Sequence, residues 1–306
     1  MKRIYSRLME ELLSGKFVFT AEIEAGKTTS LDKVIEAAKM LKNYVTAINI
    51  TDNPGACAHM NPLVPAYVIQ RDVGVEAVYQ ITCRDRNRIA IISDLLAAAA
   101  LGIRNVLALT GDHVTMGDNP EAKPVFDLDS ASLVYLIRRM VDEGVDLAGN
   151  KIEGEVKFHV GIAANPNAMP LELEILKIER KVRLGIDFIQ TQCVFDMELT
   201  KEFLREVKKF NVPVLVGICP IRSIGMMKWY IKECPGGIKI PMEIQERLLT
   251  ARERRGKKGV LEESIEISAE LIKEIRKTTS AAGVHIMAIG FEWVIPQIIE
   301  RTGLKC

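Results

Sequence analysis

Eight short apolar runs, separated by longer segments of helical periodicity, are the feature that most limits how this sequence can fold. Most runs are continuously apolar rather than alternating between polar and apolar residues, which is typical of parallel strands buried on both faces. The intervening segments, such as 31–44 and 270–277, carry apolar residues at three- and four-residue spacing, which indicates helices. The predicted strands are 17–23, 44–51, 75–83, 105–112, 157–165, 187–195, 212–220 and 283–290.

Eight strands, each followed by a helical segment within 306 residues, favour a (β/α)8 TIM barrel over an open sheet. An open dinucleotide-binding sheet would need a glycine fingerprint after its first strand, but EAGKTTS follows here with one glycine. Neither GxGxxG nor a Walker A loop occurs in the chain. We therefore predict one barrel domain over residues 1–306. An added N-terminal helix ends at Gly15, and a helical insertion over 232–262 follows strand seven.

The charge balance points away from nucleic acid and from membranes as partners. The chain has 41 basic and 40 acidic residues, so its net charge is +1 and gives no electrostatic attraction to polyanions. No stretch approaches the roughly 18 unbroken apolar residues of a spanning helix. The N-terminus starts basic but places two glutamates where a signal peptide would have its apolar core. We expect a cytoplasmic protein.

The cysteines and histidines give little reason to expect a metal or disulfides. The six cysteines form no CxxC pair, and three of them lie in or just after strand runs, where a free thiol behaves as a small hydrophobic group. A disulfide framework is not expected in a chain of this size and compartment. Four histidines without paired spacing predict no metal site. The cysteines are Cys57, Cys83, Cys193, Cys219, Cys234 and Cys306, and we expect reduced structural thiols.

Polar residues collect at the ends of the predicted strands, where a TIM barrel assembles its active site. They are Glu22, Glu24, Thr51, Asp52, Asn53, Gln80, Thr82, Thr110, Gly111, Asp112, His113, Asn165, Asn167, Gln190 and Gln192. Glu22 is unusual because burying an unpaired carboxylate within a strand is costly. A salt bridge to lysine or arginine is one explanation, but its polar neighbours favour proton transfer. Asp112 is equally compatible with a turn or helix cap.

Several segments together resemble the methylenetetrahydrofolate reductase family. They are FTAEI, ALTGDH, ANPNAMPLELEILKIERKV, FIQTQCVFD, CPGGIKIP and HIMAIGFEWVIPQIIERTGL, in the family's order over almost the whole chain. The resemblance implies a barrel that binds a flavin, usually FAD, although FMN is possible. It also implies reduction of 5,10-methylenetetrahydrofolate to 5-methyltetrahydrofolate by hydride from flavin N5, with NADH or NADPH as reductant. Where many relatives have two prolines after the acid, this chain reads EIEAGK.

The resemblance also implies roles for individual residues. Glu22 matches the general acid that opens the imidazolidine ring, and Asp112 matches a carboxylate near the flavin and pterin. Gln192 matches the amide that binds the pterin, while Ile224 takes the place of an aromatic residue that stacks on folate or nicotinamide. Lys181 suits a phosphate. The implied flavin contacts are Thr51, Gln80, Thr82, Thr110, Gly111, Asp112, Asn165, Ala168, Glu174 and Lys181.

Two other functions stay open. The chain can be the catalytic subunit of a complex in which a zinc- and iron–sulfur-containing partner subunit delivers electrons, since it lacks cysteine clusters of its own for such a centre. It can also be a flavin-free barrel that binds reduced folate without redox chemistry. Members of the family are commonly oligomeric, so the resemblance implies a homo-oligomer.

Overall fold

The eight predicted strands are all present and close into one parallel barrel in chain order, which confirms the (β/α)8 fold. The computed structural model describes residues 3–234 and 237–304. Each strand lies inside its predicted run and is shorter than it. The strands are β1 Val18–Ile23, β2 Ala47–Ile50, β3 Glu76–Thr82, β4 Asn105–Leu109, β5 His159–Ala164, β6 Phe188–Cys193, β7 Val214–Ile218 and β8 Gly283–Ile286. Strand β1 pairs with both β2 and β8, and the second pairing closes the barrel.

Helices follow the strands and pack their apolar faces on the outside of the barrel. They are α1 Arg7–Leu13, α2 Asp32–Leu41, α3 Leu63–Val68, α4 Arg88–Ala100, α5 Ser130–Asp142, α6 Leu171–Arg183, α7 Met197–Val207, α8 Ile224–Lys232, α9 Met242–Thr278 and α10 Val294–Thr302. Side-chain caps fix several starts; Asp129, for example, accepts the backbone N–H of Ser132 at α5. In residues 3–234 and 237–304, no helix is both long and apolar enough to cross a bilayer.

The predicted N-terminal helix covers the amino end of the barrel. Leu8, Met9 and Leu12 of α1 pack against the inward-facing apolar residues at the starts of the strands, including Val18 and Phe188. Across this end, the Glu76 carboxylate accepts the backbone N–H groups of Arg7 and Leu8 at 2.6 and 3.0 Å. A carboxylate at a helix N-terminus is favourable because it neutralises unpaired amide donors. The amino end is thereby filled, which leaves the carboxyl end for a site.

The predicted helical insertion is present but is continuous with the last barrel helix. Helix α9 begins at Met242 and breaks at Gly256, whose φ of 64° and ψ of −153° are not helical. The segment before the break is the added helix, and the segment after it leads back to β8. Arg247 joins the two segments through Glu263 and Glu270 at 2.9 and 2.6 Å. The prediction placed the insertion over 232–262; residues 235 and 236 of that range lie outside the described residues.

The expectation that all cysteines are reduced is wrong for one pair. Cys193 ends β6, Cys219 follows the neighbouring β7, and a disulfide joins them. Their Cα atoms are 5.5 Å apart, a usual separation for a disulfide. Parallel pairing brings together residues 26 positions apart in the chain, which the spacing of cysteines does not reveal. Cys57 and Cys83 are free thiols, and Cys306 lies outside the described residues.

Candidate active site

A cavity of about 320 Å³ opens at the carboxyl end of the barrel. Its size lies at the lower end of the range for small-molecule sites, about 300–1,000 Å³. Residues from seven of the eight strands or the loops that follow them line it, as the fold predicts for an active site. Of the residues predicted from the sequence, Glu22, Thr51, Gln80, Thr82, Thr110, Gly111, Asp112 and Gln192 line this cavity.

Glu22 is buried in β1 and is held by neutral partners. Its Oε2 accepts a hydrogen bond from Gln80 Nε2 at 2.7 Å, and His285 Nε2 lies 3.5 Å from the same oxygen. Within the described ranges, 3–234 and 237–304, no lysine or arginine forms an ion pair with it. The salt-bridge explanation is therefore not supported by the geometry. A carboxylate held this way at a cavity wall suits proton transfer.

Glu24, two residues further along the chain, was noted in the sequence only as a polar residue at the end of the first strand. Burial raises its pKa to about 7, and the negative charges of Glu22 and Glu292 add to the effect. It follows β1 directly. At neutral pH this side chain is therefore divided between its protonated and charged forms.

The raised pKa of Glu24 predicts a pH-dependent stability. Between pH 4.5 and about 7 the folded protein holds a proton that the unfolded chain has lost, so the free energy of unfolding falls as pH rises. In Glu24→Gln we expect the free energy of unfolding to decrease by about 1–3 kcal/mol less over this pH range than in wild type. The variant should therefore be more stable than wild type at pH 8 but not at pH 4.5. Urea unfolding at both pH values measures the difference.

The exposed Glu36 on α2 supplies the control for that experiment. Glu36→Gln removes one exposed carboxylate and leaves the buried titratable groups unchanged. An equal stability difference between wild type and Glu24→Gln at both pH values would contradict the assigned titration.

The loop after β4 brings Asp112 to the cavity on a backbone that needs glycine. Gly111 has a φ of +92°, and a Cβ there would lie 3.0 Å from Arg84 Cβ. The buried guanidinium of Arg84 donates to the carbonyl oxygen of Asn53 at 3.0 Å and lies 3.4 Å from that of Asp112, while Asp85 pairs with its charge. Arg84 thus holds two strand-end loops together, and Asp112 is part of the cavity lining.

A buried ion pair behind the cavity locks the ends of β2 and β3. Asp52 is fully buried and accepts hydrogen bonds from the backbone N–H and the hydroxyl of Thr82 at 2.7 and 2.9 Å. Arg86 donates to both carboxylate oxygens at 2.6 and 3.1 Å and also pairs with Asp94 at 2.8 Å. Sequence reasoning noted Asp52 only as a strand end and missed Arg86, although the charged run RDRNR after β3 is a visible signal.

Four other predicted cofactor residues lie on the β5–α6 segment rather than in the lining of the cavity. The Glu174 carboxylate accepts the backbone N–H of Asn165 at 3.0 Å, and the N–H of Ala168 donates to the Asn165 carbonyl. Lys181 is half-buried, which lowers its pKa, while the nearby Glu174 and Asp129 carboxylates oppose that shift. The contact of Lys181 with a cofactor stays a prediction.

Ile224 is also outside the cavity lining. It is the first residue of α8, where the Ser223 side chain caps the helix by accepting the N–H of Met226. Its side chain is partly buried against the main hydrophobic core. Its predicted contact with folate therefore depends on a substrate that extends beyond the cavity.

The cavity has polar groups that suit a heteroaromatic ligand. Thr51 Oγ1 is buried in its wall and has no hydrogen-bond partner among the described residues. Buried polar atoms are normally satisfied, so a bound polar molecule is the simplest partner. Gln192 is exposed towards the same space, and Gly111 lets a ligand approach the backbone closely. In the part of the chain that the structure describes, no three His, Cys, Asp or Glu side chains group to hold a metal ion.

Comparison with known proteins gives a family model and several curated relatives. The model described as methylenetetrahydrofolate reductase matches residues 7–303. Methylenetetrahydrofolate reductase 1 of Schizosaccharomyces pombe is 25% identical over 99% of this chain and 48% of its own length. Methylenetetrahydrofolate reductase (NADH) 1 of Zea mays is 23% identical over 99% of this chain and 51% of its own length.

A relative named for the other nicotinamide is also found. Probable methylenetetrahydrofolate reductase (NADPH) of Caenorhabditis elegans is 24% identical over 76% of this chain and 33% of its own length. The chain spans about half the length, or less, of these curated relatives.

Proposed function

Because the chain belongs to the methylenetetrahydrofolate reductase family, we propose that it is a flavin-dependent enzyme that reduces 5,10-methylenetetrahydrofolate to 5-methyltetrahydrofolate. Residues 1–306 act in this proposal as one catalytic domain. The observation that carries it is the buried carboxylate of Glu22 in one cavity with Asp112 and Gln192. An acid, a second carboxylate and an amide are the groups that this reaction needs beside its cofactor.

Glu22 is the general acid in this proposal. A proton delivered to a nitrogen of the imidazolidine ring opens the ring and leaves an iminium carbon that accepts hydride. Gln80 and His285 hold the carboxylate at the cavity wall, which keeps it oriented for that transfer. The flavin, when bound, supplies the hydride.

The other cavity residues bind and orient the reactants. The Gln192 amide both donates and accepts hydrogen bonds, which suits the pterin ring. Asp112 places negative charge beside the cofactor site and disfavours further negative charge there. The unpaired hydroxyl of Thr51 and the Lys181 ammonium are suited to the ring and phosphate of FAD, with FMN the smaller alternative. Relatives are named for NADH and for NADPH, so either is the proposed reductant.

The visible absorption spectrum of the purified protein tests this proposal. We expect a flavin spectrum, as isolated or after reconstitution with FAD, that bleaches with NADH or NADPH and returns when methylenetetrahydrofolate is added. A different result would be a bound flavin that dithionite reduces and methylenetetrahydrofolate reoxidises, but that neither NADH nor NADPH reduces. That result would favour a zinc- and iron–sulfur-containing partner subunit as the electron donor. Failure to bind FAD or FMN, with reduced folate still bound, would overturn the proposal in favour of a folate-binding barrel. Sedimentation of the same sample checks the proposed homo-oligomer.

A further inference from the structure

We propose that His285 is a positioning residue for Glu22, holding one oxygen of its carboxylate through an Nε2–H group so that the other oxygen faces the substrate. The proposal rests on the proposed function of Glu22 as the acid. His285 lies in β8 and is only 2% exposed. It also lines the cavity, which a purely structural core residue need not do.

The strand register places His285 against the acid. Strand β8 closes the barrel on β1, and His285 lies opposite Thr20. Thr20 and Glu22 are two residues apart on β1, so their side chains lie on the same face of the strand. The imidazole spans them, with Nδ1 2.9 Å from Thr20 Oγ1 and Nε2 3.5 Å from Glu22 Oε2.

The hydrogen bonds around Thr20 select the tautomer of His285. Gln190 Nε2 can only donate, and it lies 3.5 Å from Thr20 Oγ1. Its amide is oriented by a reciprocal pair of hydrogen bonds with Asn49 at 2.7 and 3.1 Å. The Thr20 hydroxyl has a single hydrogen, and His285 Nδ1 at 2.9 Å is a much nearer acceptor for it than the carbonyl of Val284 at 3.5 Å. That arrangement leaves the imidazole proton on Nε2, facing Glu22.

Two donors then converge on one oxygen of the acid. Gln80 Nε2 donates to Glu22 Oε2 from β3, and His285 approaches that oxygen from β8. These contacts hold the carboxyl group from two different strands, β3 and β8, and leave Oε1 for a substrate nitrogen. The same donors stabilise the carboxylate that remains after the proton has been transferred. The contact at 3.5 Å is longer than an ordinary hydrogen bond and keeps the imidazole within reach of the carboxyl group.

A pair of amide variants tests whether the Nε2 contact matters. The side-chain amide of glutamine reaches the position of Nε2, whereas that of asparagine reaches only the position of Nδ1. We expect His285→Asn to slow reoxidation of reduced flavin by methylenetetrahydrofolate about 10- to 100-fold, the effect of a misplaced catalytic group. His285→Gln should restore most of that rate. Flavin reduction by NADH or NADPH, which does not use the acid, should change little in either variant.

Stopped-flow absorbance of the two half-reactions measures these rates separately. Equal slowing of the folate step in His285→Asn and His285→Gln, or slowing in neither, would overturn the positioning role. In the Glu22→Gln background, His285→Asn should add no further loss, because the group that it orients is already absent. A further loss would contradict the proposal.

A second readout does not depend on turnover. The chain has only four histidines, so the ¹⁵N spectrum of their ring nitrogens is simple, and His285→Asn identifies the His285 signals. We expect the Nε2–H tautomer in wild type and a shift towards Nδ1–H in Thr20→Val, which removes the hydroxyl donor. An Nδ1–H tautomer in wild type would overturn the proposal. If wild type does not reduce folate, the proposed function fails, yet the spectrum still tests how His285 is held.

Discussion

Replacing Glu22 by glutamine is expected to slow reduction of methylenetetrahydrofolate by about 10²–10⁴-fold, the usual contribution of a well-placed acid. Glutamine keeps the size of the side chain and can still accept the hydrogen bond from Gln80, but it has no carboxyl proton to deliver. Electron transfer from NADH or NADPH to the flavin should continue, since that step needs no proton from this position. Single-turnover measurement of each half-reaction separates the two effects.

Glu24→Gln is the matched control, because it removes a carboxylate from the same segment of chain at a position outside the cavity lining. It should retain folate reduction to within about tenfold of wild type, since only a general electrostatic influence on Glu22 is lost. Full folate turnover by Glu22→Gln would remove Glu22 from its proposed role. Equal losses in the two variants would point to electrostatics of the segment rather than to a specific acid.

Replacing Arg86 by methionine should lower the free energy of unfolding by about 3–5 kcal/mol, the cost of breaking a buried ion pair from one side. The Asp52 side chain is completely buried and Arg86 is 11% exposed, so the remaining carboxylate cannot be hydrated without opening the ends of β2 and β3. Urea denaturation measures the loss. The hydrogen bonds from Thr82 to Asp52 remain, which keeps the expected effect within that range.

The neighbouring Arg88 gives a control of the same chemistry at the surface. It pairs with Asp127 at 2.8 Å but is 51% exposed, so Arg88→Met should change the free energy of unfolding far less than Arg86→Met does. Adding Asp52→Asn to Arg86→Met should recover part of the loss, because the unpaired buried charge is then removed. Similar small losses in both single variants would contradict the importance of the buried pair.

The sequence was sufficient to predict the barrel because its signals are local. Continuous apolar runs mark buried strands, and the fold then brings polar strand ends together, which is how Glu22, Asp112 and Gln192 could be expected in one cavity. The runs overestimated strand length because they continue into turns that carry site residues; β4, for example, ends at Leu109, before Thr110.

Several contacts that the sequence did not reveal join residues that follow or lie on neighbouring strands. The Cys193–Cys219 disulfide depends on how β6 lies against β7, and the Asp52–Arg86 pair depends on two loops meeting. No local pattern contains that information. His285 could be predicted as a buried imidazole from its strand, but its position beside Glu22 requires the register of β8 against β1.

The pairing of β8 with β1 also determines when the barrel can close during protein synthesis. Thr20 and His285 are separated by 265 positions, so the acid cannot acquire its imidazole neighbour until nearly the whole chain has left the ribosome. At roughly 5–20 residues per second, this delay is on the order of tens of seconds. Throughout that interval β1 exposes an unpaired edge, the kind of surface that invites wrong pairing. The last strand to be synthesised therefore both protects the first and completes its chemistry.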